Sequence, residues 1–580
     1  MPPGGYFGRV LVADVGRGDF DTRELGDDVL RRTLGGAGLG THLMHELAPA
    51  GVDPLAPEAP LAFVFSPLVG TPLTTSAKFA VVAKSPLTNR LNDALASSHF
   101  AIAGKLTGHD AIVVTGAAEV PSALVVDGDG ARVEAVPELW GASAAEAEQR
   151  LRERLGPAYR VAAIGPAGEN LVRYATVSHD GRHAGRGGLG AVLGAKRIKA
   201  VAVRAVAKCP VADPPAVLRA ARDLRERSFG PATAKYRELG TLGNLLSFNA
   251  LSALPGQNFG AQAGTLHLED RVAVRAACAS CSIGCERIMK TRSGGSTRVE
   301  YESAFALGPL VGLTDPDEVL DAVARCDALG LDTISTGGTL AWAMETGQAA
   351  WLRFGDAAGV HRAIELIGAR EGLGDLLAEG SREASRRAGG EDVAMHVKGL
   401  ELPGYEPRTL HAMALGLAVN ARGADHNRSG AYEADLSGEL DRLAGGDAHV
   451  AAAIETEDRA AAMDSLILCK FLRGVFADPW EEWAALLAPV TGWDDLDGVQ
   501  LHATARGIVA AKHSFNRREG WTRAEDTLPA RLLEQPIALP SGRQAALTRE
   551  RLDAMVDAYH RTRGLDELVH ARQAEALTWP

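Results

Sequence analysis

The chain has 580 residues, of which 46 % are hydrophobic and 23 % charged, with a formal net charge of -12. At ~150 residues per domain this leaves room for roughly three or four domains of ordinary globular composition. The acidic excess argues against broad nucleic-acid binding, which needs basic surface to displace phosphate counterions. No run of ~18 apolar residues predicts a membrane span. The opening "MPPGGYFGRV" lacks the charged and apolar regions of a signal peptide, so a cytoplasmic location is expected.

Taken in chain order, short apolar runs punctuated by Gly, Pro and Asp predict strands through the first two hundred residues: "RVLVADV", "LAFVFSP", "AIVVTG", "ALVVDGDG" and "IKAVAVRA". Between them "LGGAGLGTHL" and "AGRGGLGAVLG" read as glycine-dense loops. The second is not a dinucleotide fingerprint. Gly188 and Gly190 open G-x-G, but the next glycine is Gly194, one position late. Arg186 beside Gly187 and Gly188 suits instead a backbone cradle for an anion, although glycine turns between strands are common without one. Pro and Asp in "AKCPVADPP" mark a break, which closes a β-rich first domain at 1–210. Helices are expected to dominate from there. In "ERLDAMVDAYHRTRG", Leu552, Met555, Val556 and Tyr559 share one face, and Gly564 suits the helix end. A weaker break around "KGLELPGYEPR" divides this part into domains at 211–408 and 409–580. The fold class is therefore α+β, a β-rich base with two mainly helical domains.

Six cysteines in so long a chain do not make a disulfide framework, and their clustering points to metal or redox chemistry. "CASCSIGCERIMK" places Cys278, Cys281 and Cys285 as Cys-x2-Cys-x3-Cys, a spacing at which a tight loop, eased by Gly284, can aim three sulfurs at one centre. A cubane iron–sulfur cluster takes four cysteines, and Cys209, Cys326 and Cys469 remain. Zinc is the rival tenant, but no second Cys or His hook accompanies the first. Three thiols brought near by chance is the plain alternative. Two stretches resemble each other: Asp327 to Asp332 ("DALGLD") and Asp464 to Cys469 ("DSLILC"). Each alone reads as a helix with an acidic start; the pair suggests two similar ligand halves. Glu302 in "VEYESAFALGP" has an apolar setting that would raise its pKa toward a value useful for proton transfer. His426 in "RGADHNRSG" is its natural partner. Taken singly, such residues are more often a solvated glutamate and a structural histidine.

These stretches, with "GYFGRVLVADV", "AKSPLT", "IGPAGENLVRYATVSHDGRHAGRGGLGAVLGAKRIKAV" and "ARGADHNR", resemble the aldehyde:ferredoxin oxidoreductase family nearly end to end. The resemblance implies a tungsten, or less commonly molybdenum, centre held by two molybdopterins beside a [4Fe–4S] cluster, with a magnesium ion bridging the pterin phosphates. It implies that Cys469 is the fourth cluster ligand. It assigns Asp327 with Asp332, and Asp464, to one pterin each, and Lys78, Arg186, Gly187, Gly188, Arg422 and Gly423 to pterin contacts. Glu302 and His426 fall beside the metal, with Tyr301 near the same pocket. The implied reaction is oxidation of an aldehyde to a carboxylic acid, with electrons passing to ferredoxin or a ferredoxin-like subunit, in a homodimer or such a complex. A benzoyl-CoA-reductase-like reductive enzyme is one alternative, and an iron–sulfur electron-transfer scaffold without pterin another. The sequence departs from the family where Leu95 to Ser98 replace Asn-Ala-Gly-Gly, where Lys78 stands for an arginine, where Asp425 stands for a cysteine, and where Ile467 stands for a glycine.

Overall fold

The computed structural model describes residues 2–264, 266–268, 271–292 and 294–565. The apolar runs of the first two hundred residues build two six-stranded sheets. The first contains β1 (Arg9–Asp14), β2 (Asp19–Glu24), β3 (Leu61–Val64), β4 (Lys78–Lys84), β5 (Leu91–Ser97) and β6 (Ala111–Thr115), in the order β2-β1-β6-β3-β4-β5. The second contains β7 (Ser122–Asp127), β8 (Gly130–Ala135), β9 (Arg160–Ala163), β10 (Val177–His179), β11 (Arg182–Ala184) and β12 (Ile198–Val203), in the order β11-β10-β9-β12-β7-β8. Only β1 with β6 and β7 with β12 run parallel among these pairs. Strands β3 and β12 are buried along their whole length, which is why they read as continuous apolar runs, whereas edge strand β2 is largely exposed and polar.

Each glycine-dense stretch leads into a helix, Gly36–Leu47 and Leu189–Ala195, and Gly185 to Gly188 of the second remain a loop. Glycine costs a helix about 1 kcal/mol relative to alanine, and close approach explains its presence. A β-carbon on Gly40 would lie 2.4 Å from Val82 on β4, and one on Gly194 would lie 1.9 Å from the Gly168 carbonyl. The helices therefore rest backbone-first on the base.

Helices dominate after residue 213, with one exception that matters. A three-stranded antiparallel sheet, Val272–Ala276, Glu286–Lys290 and Ser296–Val299, carries the three-cysteine motif in its first connection. The last described helix, Arg549–Arg563, buries Leu552, Met555, Val556 and Tyr559 and ends at Gly564 with φ +67°, as its spacing predicts. The largest apolar cluster runs from Leu87 and Tyr174 through both helical parts to Leu565. No described helix is long and apolar enough to cross a membrane.

Candidate cofactor and active site

The two aspartate motifs are one structure used twice. Helix Pro316–Leu329 carries Asp327 in its last turn and closes on Gly330 at φ +78°. Helix Asp447–Leu466 carries Asp464 in its last turn and closes on Ile467 at φ +66°. The next amide donates back to the residue before the aspartate in both, Leu331 to Cys326 O and Leu468 to Met463 O, each at 2.9 Å. A glycine of the base presses on each turn: β-carbons on Gly165 and Gly36 would lie 2.4 Å from Leu329 O and 2.3 Å from Asp464 O. The acids thus end their helices rather than start them. A carboxylate there faces the negative end of the helix dipole, which costs about 0.3–1 kcal/mol. Both have found cations. Asp464, buried, lies 3.1 Å from Arg428 Nη1 and 3.0 Å from Lys470 Nζ; Asp327, half-buried, lies 3.1 Å from His183 Nε2. Asp332 caps helix Thr333–Glu345, accepting from the amides of Ile334 and Ser335, with Arg186 Nε at 3.4 Å.

The Arg186 loop and the Arg422 loop are tied together over the base. Gly187 and Gly188 adopt φ +89° and +78°, and a β-carbon on Gly187 would meet Asn92 Oδ1 at 2.1 Å. Arg186 donates to the carbonyls of Ala424 and Glu401, both at 2.6 Å. Arg422 donates to Asn92 Oδ1 at 2.7 Å and to Arg186 O at 2.9 Å, and pairs with Asp425 at 2.9 Å. Gly423, at φ +104°, leaves no room for a side chain under Val397 O. Asp425 is thus the counter-ion of Arg422 and the cap of the short helix His426–Ser429. Leu95 to Ser98 do not form a loop. The first three close β5, paired with β4, and Ser98 caps helix His99–Lys105.

Sequence reasoning missed a buried ionic group beside this knot. A cavity of about 20 Å³, room for about one water, lies among Asp93, Arg422, Arg428, Asp464 and Lys512. Asp93 Oδ2 sits 3.0 Å from Arg428 Nε and 3.1 Å from Lys512 Nζ. Burial alone would raise the Asp93 pKa, but Arg428, Lys512 and Arg422 hold it down at about 2. The available signal was Asn92-Asp93, a polar pair inside an apolar strand.

Cys278, Cys281 and Cys285 occupy the connection between Val272–Ala276 and Glu286–Lys290, where Gly284 turns at φ +64°. Cys469 heads the short turn Lys470–Val475, in the position that Asp332 holds in the first motif. Cys469 lies close enough to act on Cys281 and Cys285, and the hydrogen bond from Cys281 pulls the Cys278 thiol below its ordinary range. Cys326, buried beside Asp327, and Cys209, beside Lys105, have other surroundings. Arg182 stands close enough to Cys278, Cys285 and Cys469 for each to raise its pKa, and Lys78, at the start of β4, acts on Cys278. Two cations therefore face thiols that would carry negative charge on a metal. Among the described residues no three His, Cys, Asp or Glu side chains are already placed to hold one metal ion.

Glu302 lies on helix Tyr301–Leu307, and His426 opens helix His426–Ser429. Glu302 Oε2 accepts from the Gly404 amide at 3.0 Å. Glu302 Oε1 faces His426 Nδ1 at 3.4 Å, and both atoms are buried without a hydrogen bond. Burial raises the Glu302 pKa to about 8 and lowers that of His426 to about 3. Asn427 Nδ2 lies 2.9 Å from His426 Nε2. With the amide donating there, the neutral ring carries its proton on Nδ1, facing the glutamate. Tyr405 stacks on His426 at 5.0 Å, with Tyr301, Phe248 and Tyr432 packed around it. Tyr301 donates its hydroxyl to Gly404 O, fixing the segment that binds Glu302.

The donor set fits the cofactors that the sequence pattern implies. Four thiols are neighbours, and Glu302 Oε1, His426 Nδ1 and Asp464 Oδ2 are buried without hydrogen bonds.

Residues 10–205 match the aldehyde ferredoxin oxidoreductase N-terminal domain, and residues 219–575 match domains 2 and 3 of the same family. The tungsten-containing aldehyde ferredoxin oxidoreductase of Pyrococcus furiosus is 36 % identical over 594 aligned residues, covering 97 % of each chain. That of Thermococcus kodakarensis is 35 % identical, again over 97 % of each. The active-site complex BamBC of benzoyl coenzyme A reductase, solved with 1,5-dienoyl-CoA, shares the fold with a TM-score of 0.83 at 20 % identity, over 97 % of this chain and 95 % of that one. The chain therefore belongs to the aldehyde ferredoxin oxidoreductase family of oxidoreductases.

Proposed function

We propose that this oxidoreductase converts an aldehyde, or its hydrate, to a carboxylic acid at a tungsten or molybdenum centre held by two pterins, and passes the electrons through a [4Fe–4S] cluster to ferredoxin or a similar carrier. The observation that carries this reading is the buried pair Glu302 Oε1 and His426 Nδ1, which face each other without completing a hydrogen bond. An unpaired buried polar atom costs about 1–3 kcal/mol, so two held together suggest a site kept for a substrate. Cys278, Cys281, Cys285 and Cys469 would hold the cluster. Asp327, Asp332, Asp464, Arg186, Arg422, Lys78, Gly187, Gly188 and Gly423 would hold the pterins, with Asp464 binding while paired to Arg428 and Lys470. The bound metal and pterins supply the two-electron redox chemistry, and the cluster supplies the one-electron exit.

The protein's own work is proton transfer and positioning. Glu302 removes a proton from water or the hydrate at Oε1, while Oε2 stays anchored to the Gly404 amide. A pKa of about 8 makes it a stronger base than an exposed carboxylate, at the cost of being largely protonated at pH 7. His426, with a pKa of about 3, stays neutral across the working range. It therefore orients the substrate oxygen through Nδ1–H instead of ferrying a full proton. The rings of Tyr301, Tyr405 and Tyr432 form an aromatic wall beside this pair.

Glu302→Gln tests the assignment. Turnover is expected to fall about 10²–10⁴-fold, the usual worth of a general base, with tungsten, pterin and iron contents unchanged. The wild-type rate should climb as pH rises toward about 8, where the carboxylate form accumulates, and the variant should lose that climb. Unchanged turnover with full metal would overturn the role of Glu302.

A further inference from the structure

The cysteine loop lies under a face that combines exposed apolar side chains with cations, in a chain whose overall charge is -12. Phe229, Leu239 and Leu246 are 48 %, 49 % and 44 % exposed. The residues around them are continuous. Arg237 lies over the Phe229 ring at 5.7 Å and donates to the Phe229 and Gly230 carbonyls. Arg287 donates to Arg237 O at 2.9 Å. Gly240, next to Leu239, is packed so closely that a β-carbon there would lie 2.6 Å from the carbonyl of Cys285. Helix Gly243–Ala250, which bears Leu246, starts against Leu239. Strand Val272–Ala276, immediately before Cys278, is an edge of the three-stranded sheet, and Ala273, Val274 and Arg275 are all exposed.

Two features say what could cover this face. Solvent-exposed apolar side chains grouped together mark interaction surfaces, and here they flank the backbone of the cysteine loop. The cations are arranged against their own stability. Arg275 stands directly opposite Arg287 in the strand ladder. Like charges in that position are destabilising, and among the described residues no carboxylate pairs with Arg275. Lys235 and Arg237 add positive charge on helix Ala234–Leu239, where Glu238 is the single acid. An acidic partner would relieve the repulsion.

We propose that this face, Phe229, Leu239 and Leu246 ringed by Arg275, Arg237 and Lys235, docks a small acidic one-electron iron–sulfur carrier. The proposal rests on the cluster reading above and adds where the electron leaves. In each transfer the bound cluster loses one electron and the carrier's cluster gains it; no bond changes and no proton moves. The apolar side chains form the dry centre of the contact, and the cations guide the carrier's carboxylates into register.

The test uses the intact holoprotein and an acidic ferredoxin carrying two [4Fe–4S] clusters. Binding is measured by titration calorimetry at low salt, and electron transfer by stopped-flow mixing of dithionite-reduced holoprotein with the oxidised ferredoxin. Combining Arg275→Glu with Leu239→Asp should weaken binding and slow transfer at least ten-fold. Reoxidation by a small viologen dye, which needs no docking face, should be unaffected. Val499→Asp, at a residue 75 % exposed elsewhere, serves as a control and should change neither. Binding and transfer equal to wild type in the double variant would overturn the proposal. A holoprotein lacking iron would overturn the reading beneath it, an outcome told apart by iron analysis alone.

Discussion

The two aspartate motifs share a turn but not an environment. In the first, the left-handed residue is Gly330, the aspartate is half-buried with a histidine beside it, and the motif ends on Asp332, which caps the next helix. In the second, the left-handed residue is Ile467, the aspartate is buried between Arg428 and Lys470, and the motif ends on Cys469 among the other thiols. The backbone bonds that define the turn are equal in length, so the turn is the common device and the side chains are where the halves diverge. One half rests on a half-buried aspartate–histidine pair, the other on buried charge beside the cysteine loop. A duplicated frame lets each copy carry a different ligand without redesigning the fold.

The largest effect should come from the last residue of the motif. Cys469→Ser is expected to lose most of the bound iron, whereas Cys326→Ser, in an apolar core beside the first motif, should keep it. Equal iron in the two variants would remove Cys469 from the ligand set. Next comes Asp464→Ala, which strands Arg428 and Lys470 in the interior and should cost about 3–5 kcal/mol. Asp327→Ala breaks a half-exposed pair and should cost about 0–1 kcal/mol. Thermal unfolding of the two variants side by side reads the difference, and similar melting points would show that burial does not distinguish the halves.

Ile467 offers a smaller and sharper test. A non-glycine residue in the left-handed region costs about 1–2 kcal/mol, so Ile467→Gly relieves strain. It also empties a fully buried site against Gly36, where losing an isoleucine costs about 2–5 kcal/mol. The net expectation is a loss of about 1–3 kcal/mol, because packing outweighs strain. A more stable variant would mean that strain is the larger quantity.

Much of the fold was legible because burial writes itself into local pattern. The five quoted strand runs became β1, β3, β6, β7 and β12, and the four apolar residues of the last described helix all turned inward. The glycine-rich stretches were misread because glycine serves close helix packing as readily as a turn, and the contact that decides between them is with Val82 or Gly168, invisible along the chain. The Asp464 environment was hidden for the same reason. Asp93 and Lys512 are 419 residues apart in sequence, and no spacing rule joins them. The apolar run around Glu302 already pointed to its raised pKa, whereas the lowering of His426, expected to titrate near neutrality, comes from burial that only the folded chain supplies.

The measurement that tests the central claim most directly is metal and pterin analysis of anaerobically purified protein from cells able to make the cofactor. Tungsten or molybdenum, with released pterin and about four irons per chain, is the predicted result. Iron without tungsten, molybdenum or pterin would contradict the catalytic reading and leave an electron-transfer scaffold; zinc alone would contradict the cluster as well.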